Sequence, residues 1–251
     1  MINHLRFFAG FYSCLLVLHF LVFLNSCNFA GYTIQTVSLN EDHVNPIYKI
    51  EASLPKLTGH NDSIVQQKIN EAVAYYIQSQ ILQFKEDIKI SQSNPERKDK
   101  TGKAGELNIE TKIGLKQKNL VSIKVTTFYR NVEAAYPEYL EHGFTFDARN
   151  GELLTLDRIF HSESDYLNKL SEYIKPRIAE QKKASGFPVD SLMLAEATLP
   201  NSKNFNNFLI YQDRITFFFP YYLISTQKQS DVWIEIPYKE IKPLILKQYR
   251  W

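Results

Sequence analysis

The chain has 251 residues, 44% hydrophobic, 14% aromatic and 22% charged, and its 29 Lys and Arg against 27 Asp and Glu leave a formal charge of +2. This is the composition of a folded globular chain, which excludes disordered, collagen-like and tail-like sequences. The signs are interspersed and the total is nearly neutral, without the one-sided basic excess of a nucleic-acid binder, so nucleic acid is not an expected partner.

The chain starts with an address. Phe7 to Leu24 is almost wholly apolar, and Arg6 is the only strong charge ahead of Glu41. A positive start before an apolar run is the pattern of a secretory signal, although such a run is also long enough to span a bilayer. It ends in Leu24-Asn25-Ser26-Cys27, which resembles a bacterial lipobox. The resemblance implies a lipoprotein signal peptide over residues 1–26 and a diacylated Cys27 at the start of the mature chain. The other cysteine, Cys14, lies inside the apolar run and leaves with it. No disulfide, thiolate metal site or cysteine nucleophile is therefore expected in the mature body. Residues 27–46 are polar and without periodicity, and are read as a lipidated tether, leaving residues 47–251 as the folded body.

Alternation of Tyr48, Ile50, Ala52 and Leu54 predicts a strand. Val65, Ile69, Val73, Ile77, Ile81 and Phe84 then recur at helical spacing, predicting a helix from about Ser63 to Ile88, with Ser63 and Gln66 at capping-box spacing. Ser91 to Gly105 is polar and rich in breakers, and reads as a solvated loop. Two alternating runs, Leu107 to Leu115 and Val121 to Tyr129, predict a long antiparallel hairpin. A third, Leu140 to Phe146, leads through Asn150-Gly151 into Leu153 to Ile159, and Asn-Gly suggests a type I′ hairpin turn. Leu167, Leu170, Ile174 and Ile178 predict a second helix, which Pro176 should kink or split. After a short helix near Asp190 to Ala197 come strands at Phe208–Tyr211, Ile215–Phe219 and Val232–Ile236, then a final helix from about Lys239 to Gln248. Clustered hairpins in place of βαβ units predict an α+β fold, an antiparallel sheet built from hairpins with helices packed on one face. One domain or two lobes, about 47–160 and 161–251, both fit the length.

Phe144-Thr145-Phe146-Asp147-Ala148-Arg149-Asn150-Gly151 with its continuation to Phe160, then Phe217-Phe218-Phe219-Pro220-Tyr221 and Val232 to Ile241, resemble the extracytoplasmic domain of the RsiV/PdaC type, domain-of-unknown-function family 3298 with a preceding family 4163-like segment. The resemblance spans most of Tyr48 to Tyr249, but only these stretches are specific. It implies an α+β domain outside the cytoplasmic membrane and, for one branch of the family, recognition of lysozyme. Ala134-Ala135-Tyr136-Pro137 stands where the family often has a Gly-Ala-His segment, so no role is carried over for that histidine. The glycine usual between Pro-Tyr and Ile-Pro-Tyr is also missing. No deacetylase domain is expected within this sequence.

Chemical motifs are scarce. His43, His60, His142 and His161 form no HExxH or close i, i+4 pair, and there is no G-x-S-x-G elbow or P-loop. Neither a metal nor a cofactor is expected. Carboxylates at Glu133, Glu138, Glu141, Asp147 and Asp157 form a glycosidase pair only if the fold brings two together. Tyr136, Tyr139, Tyr221 and Tyr222 flank prolines on connecting segments, where flat amphipathic rings can face a sugar or a protein. They are the candidate binding residues, with core or sheet-edge packing as the alternative. Trp233 is read as core or sheet-face packing. The resulting expectation is a lipid-anchored, periplasm-facing envelope binding module that recognises lysozyme or peptidoglycan. The alternative is a cell-wall hydrolase or deacetylase using carboxylates.

Overall fold

A computed structural model of the chain describes residues 31–93, 104–131, 137–227 and 231–251; the signal segment, Cys27, Glu133 and Tyr136 lie outside the described residues. The architecture is α+β, as the hairpin pattern predicts, but the strands form two sheets. The first has the order β1-β2-β3-β4-β5, from Thr33–Val44, Ile47–Thr58, Gly105–Lys116, Leu120–Arg130 and Glu138–Asp147. The second is an antiparallel meander, β6-β7-β8, from Phe208–Ile210, Arg214–Phe219 and Val232–Pro237.

Two features of the first sheet correct the sequence reading. β1 occupies most of the stretch read as a tether and pairs antiparallel with β2 along its whole length. It is an edge strand with no residue below intermediate exposure, so it lacks the apolar alternation by which strands are recognised. Second, β2 and β3 are parallel, because helix α1, Ser63–Ser93, connects them. Parallel neighbours need such a crossover, whereas a tight hairpin produces only antiparallel pairs.

α1 buries Val65, Ile69, Val73, Ile77, Phe84 and Ile88 at 4% exposure or less, a continuous stripe at helical spacing. It lies on the sheet face formed by Tyr48, Ile50, Ala52, Leu107, Ile109, Ile123 and Val125. The helix cap falls one residue earlier than the capping-box spacing suggests. Asp62 Oδ1 accepts the N–H groups of Ile64 and Val65 at 2.8 and 3.2 Å, satisfying two donors that the first turn leaves open.

The second core joins one face of β6-β7-β8, through Phe208, Ile215, Phe217 and Ile234, to helices α2, Leu156–Ile159, and α3, Tyr166–Ala184. α3 continues past Pro176 without a break. Arg177 donates to the Tyr173 carbonyl at 2.8 Å, in the turn where proline weakens the backbone ladder. α4, Ser191–Ala197, starts on Asp190, which accepts from Leu192 and Met193. The helix expected at the end is broken: α5, Tyr238–Ile241, gives way to a 3₁₀ turn at Lys242–Leu244 containing Pro243, and Ile245 bridges back to Phe160. Asn150-Gly151 makes no type I′ hairpin. Gly151 alone there has positive φ, at 74°, and the returning segment pairs only through a Phe146–Leu153 bridge before entering α2.

Each sheet with its own core forms a lobe, Leu154 to Phe160 belonging to the second, and the two are joined along β5. Asn207 accepts the Gly143 N–H at 3.0 Å and donates to the Glu141 carbonyl at 2.8 Å. A Cβ on Gly143 would lie 2.1 Å from the Phe208 carbonyl oxygen, and one on Gly114 would lie 2.8 Å from that of Ile210. Glycine at these two positions lets the β6 backbone rest directly on the first sheet. Leu115 and Leu120, at the tip of the β3–β4 hairpin, enter the second core.

Candidate functional site

Burial along β4 and β5 shows where the outer face of the first sheet is covered and where it is bare. Leu120 to Ile123 and Phe144 to Asp147 are buried at every position, because α1 covers one face and β6 approaches the other. Away from that end only the α1-facing residues stay buried. The residues of opposite parity, Thr126 and Phe128 on β4 with Tyr139 on β5, face an open groove of about 440 Å³.

Phe128 and Tyr139 are cross-strand partners and pack edge to face, with ring centroids 5.2 Å apart and planes at 69°. This geometry suits the ring quadrupoles, yet Tyr139 remains 58% exposed. Around the rings lie Lys49, Glu51, Glu106, Asn108 and Glu110. Lys49 pairs with Glu51 at 2.6 Å, which raises the lysine pKa. Arg130 pairs with Glu106 and Lys112 with Glu110 at 3.8 Å. The groove thus offers aromatic surface within a rim of hydrogen-bonding groups of both charges. Farther along the same face, Lys124 meets Glu141 at 2.7 Å, with both side chains 19% exposed.

The tyrosines singled out in the sequence do not form one surface. Tyr139 belongs to the groove. Tyr221 and Tyr222 form an edge-to-face pair at 5.9 Å on the 3₁₀ turn Tyr221–Leu223. Tyr222 stands by Tyr76 of α1, whose hydroxyl is pushed up to about 12 by burial and by that neighbour. Tyr76 itself packs on the α1 side of β5, the face turned away from the groove. His142 is stacked there on Tyr76 at 4.6 Å, and burial lowers its pKa. The Tyr221 N–H donates to Asp231 at 2.9 Å. Burial holds the Asp231 pKa above the ordinary carboxylate value, against the lowering effect of that bond and of Lys182.

The carboxylates have separate surroundings. Asp147 is 2% exposed and accepts from Arg149 Nε at 2.8 Å and from the Tyr249 hydroxyl at 3.1 Å. Burial acts to raise its pKa, but Arg149 and Tyr249 outweigh it and the net shift is downward. It is a structural anchor for the end of the chain. Glu141 is held by Lys124. His60 contacts the Ala148 carbonyl at 2.8 Å and His43 stacks on Tyr48 at 4.9 Å. Among the described residues no group of three or more His, Cys, Asp or Glu is placed to hold a metal.

Phe128 is the groove residue that sequence reasoning passed over. The apolar alternation Val121, Ile123, Val125 drew attention to the buried face, while a phenylalanine among Ser122, Lys124, Thr126 and Arg130 was the available signal. Trp233 is 49% exposed on the outward side of β8, so it belongs to a sheet face and not to the core.

Comparison with known proteins agrees with this architecture. Residues 41–130 match the family described as Deacetylase PdaC, and residues 157–239 match Protein of unknown function (DUF3298). The body is a PdaC/DUF3298-type domain. It is similar to the peptidoglycan-N-acetylmuramic acid deacetylase PdaC of Bacillus subtilis, at 28% identity over 184 residues. That alignment takes in 73% of this chain and only 37% of the length of the relative. A crystal structure of a DUF3298 family member from Bacteroides fragilis superimposes with a TM-score of 0.60 at 17% identity, over 88% of this chain and 96% of that one. This likeness shows the fold. No helix among the described residues is long and apolar enough to cross a membrane.

Proposed function

We propose that this PdaC/DUF3298-type domain is an envelope binding module, held outside the cytoplasmic membrane by a lipid on Cys27, that takes a cell-wall glycan into the outer groove of its first sheet. The observation that carries the reading is the Phe128–Tyr139 pair, Tyr139 exposed and Phe128 half-buried, set in a rim of paired charges and an amide. Aromatic faces pack on the C–H surfaces of a sugar, while the rim groups exchange hydrogen bonds with hydroxyl and amide substituents. The relative named for peptidoglycan deacetylation supports this choice of ligand.

The test is titration of the chain with soluble peptidoglycan fragments, comparing wild type with Tyr139→Ala and Phe128→Ala. At least a tenfold loss of affinity is expected with unchanged circular dichroism, and undiminished binding in both variants would rule out the groove. Lysozyme on the same sensor tests the protein-partner reading. For the anchor, Cys27→Ser should abolish incorporation of a clickable fatty acid; continued labelling would remove it. The deacetylase reading draws on the activity for which the Bacillus subtilis relative is named, and acetate release from intact peptidoglycan by the wild-type chain would favour it.

A further inference from the structure

We propose that the groove continues across the corner between the two sheets onto β8, where Trp233 forms a second platform, so that the occupant is an extended glycan strand and not a single sugar unit. The proposal rests on the glycan reading of the groove and adds its length and direction.

On the first sheet, Tyr139 and Glu141 occupy successive outward positions of β5, and Glu141 is bonded to Lys124 and Thr126 of β4 at 2.7 and 3.5 Å. The polar track therefore leads from the aromatic pair toward the end of the sheet on which β6 rests. Tyr211, just beyond β6, lies in the field of Lys124 and Glu141 from the first sheet and of Arg214 and Glu235 from the second. Arg214 stacks over the Tyr211 ring at 4.2 Å and donates to Glu235 at 2.9 Å. Trp233 is two residues before Glu235 on the same face of β8, because alternate residues of a strand share a face. Its other flank is Asp231, which also lies within the field of Glu141. Glu235, beside the indole, is thus tied through Arg214 to Tyr211 at the corner where β6 rests on the first sheet.

The track runs between two exposed aromatic stations, Tyr139 at 58% and Trp233 at 49%, over a floor of charged and hydroxyl groups. A chain of sugars alternates C–H faces with polar edges and matches such a surface along its length. Close contact of the β6 backbone with Gly114 and Gly143 holds the two stations in a fixed relation, which lowers the ordering cost of binding a long ligand.

The experiment uses the wild-type chain and two probes, a single disaccharide-peptide unit and glycan strands of several repeats. The strand is expected to bind at least tenfold more tightly. Trp233→Ala should remove that advantage while leaving affinity for the single unit and the melting temperature unchanged, and Trp233→Phe should restore most of it. Strand binding unaltered by Trp233→Ala, with Tyr139→Ala still damaging, would overturn the extension and leave the groove standing. Equal loss for both probes would also overturn it, by placing Trp233 in the first subsite. Failure of both probes to bind would overturn the extension together with the glycan reading. Lysozyme binding in place of glycan, dependent on Trp233, would make the track a protein interface.

Discussion

The two lobes reach similar burial by different means. The first rests on one long helix whose apolar stripe covers one face of a five-stranded sheet. The second gathers short elements, α2, α3, α5 and the closing 3₁₀ turns, around a three-stranded sheet. A long amphipathic helix requires only one sheet face, and the first sheet is free to use the other. Its outer face is shared between the seat of β6 and the groove. On the second sheet the face turned from its core is buried at Leu209, Thr216 and Phe218 and open at Trp233 on β8. Here function has room where a regular, one-sided core leaves a sheet face uncommitted.

The sharpest way to break this comparison is to hollow each core separately. Phe84 and Phe160 are both buried to 1% exposure or less, in different lobes. Replacing either by alanine should cost about 3–5 kcal/mol. Because Asn207, next to β6, is bonded to β5 and Leu115 and Leu120 enter the second core, each variant should still unfold in one transition. Two separated transitions in calorimetry would show that the lobes are independent domains.

A second test acts on the seam. Gly143→Ala would place a Cβ against the Phe208 carbonyl carbon and oxygen, backbone atoms that cannot swing aside. A loss of about 1–3 kcal/mol or more is expected, with weakened strand binding if the corner orients the track. Gly59→Ala, at φ of 75° in open space, should cost about 1 kcal/mol, and comparable urea midpoints for the two variants would contradict the close-contact account.

The smaller effects are pH-dependent and differ between regions. His142, in the first lobe, has its pKa lowered by burial, so the unfolded chain binds the proton first. Stability from keeping it neutral is complete above about pH 6.5 and declines as pH falls toward the folded pKa. Asp147, at the junction, is also depressed when folded. Its contribution is present above about pH 3.9 and is lost as pH falls through the folded value. Asp147→Asn should cost about 1.5–3 kcal/mol at neutral pH and flatten the acid limb of stability against pH. His142→Phe should flatten the limb just below pH 6.5. An unchanged profile in both would assign acid sensitivity elsewhere.

Legibility followed periodicity. α1 and strands β2 to β5 and β8 carry two- or 3.6-residue apolar repeats, and β6 and β7 are short continuous apolar runs, so their types and approximate bounds could be read from the chain. β1 could not, since Thr33 to Val44 is stabilised by pairing with β2 and buries little of its own surface. The site was half legible. Tyr139 stood out because it follows a proline, whereas Phe128 was hidden by the stronger apolar alternation of its neighbours. Tyr139 and Tyr222 look alike in sequence, yet Tyr139 pairs with Phe128 across two strands and Tyr222 with Tyr221 on a 3₁₀ turn.

The sequence by itself determined the α+β class, the main helix, the β3–β4 hairpin and the likeness to the PdaC/DUF3298 type, because each rests on local periodicity or on a contiguous motif. Only the tertiary structure decided that there are two sheets, that β2 and β3 run parallel, and which outward residues meet at the groove. Those outcomes depend on how far α1 carries the chain before it returns and on where β6 comes to rest on Gly114 and Gly143. They are contacts between segments distant in sequence, and no local pattern of residues encodes them.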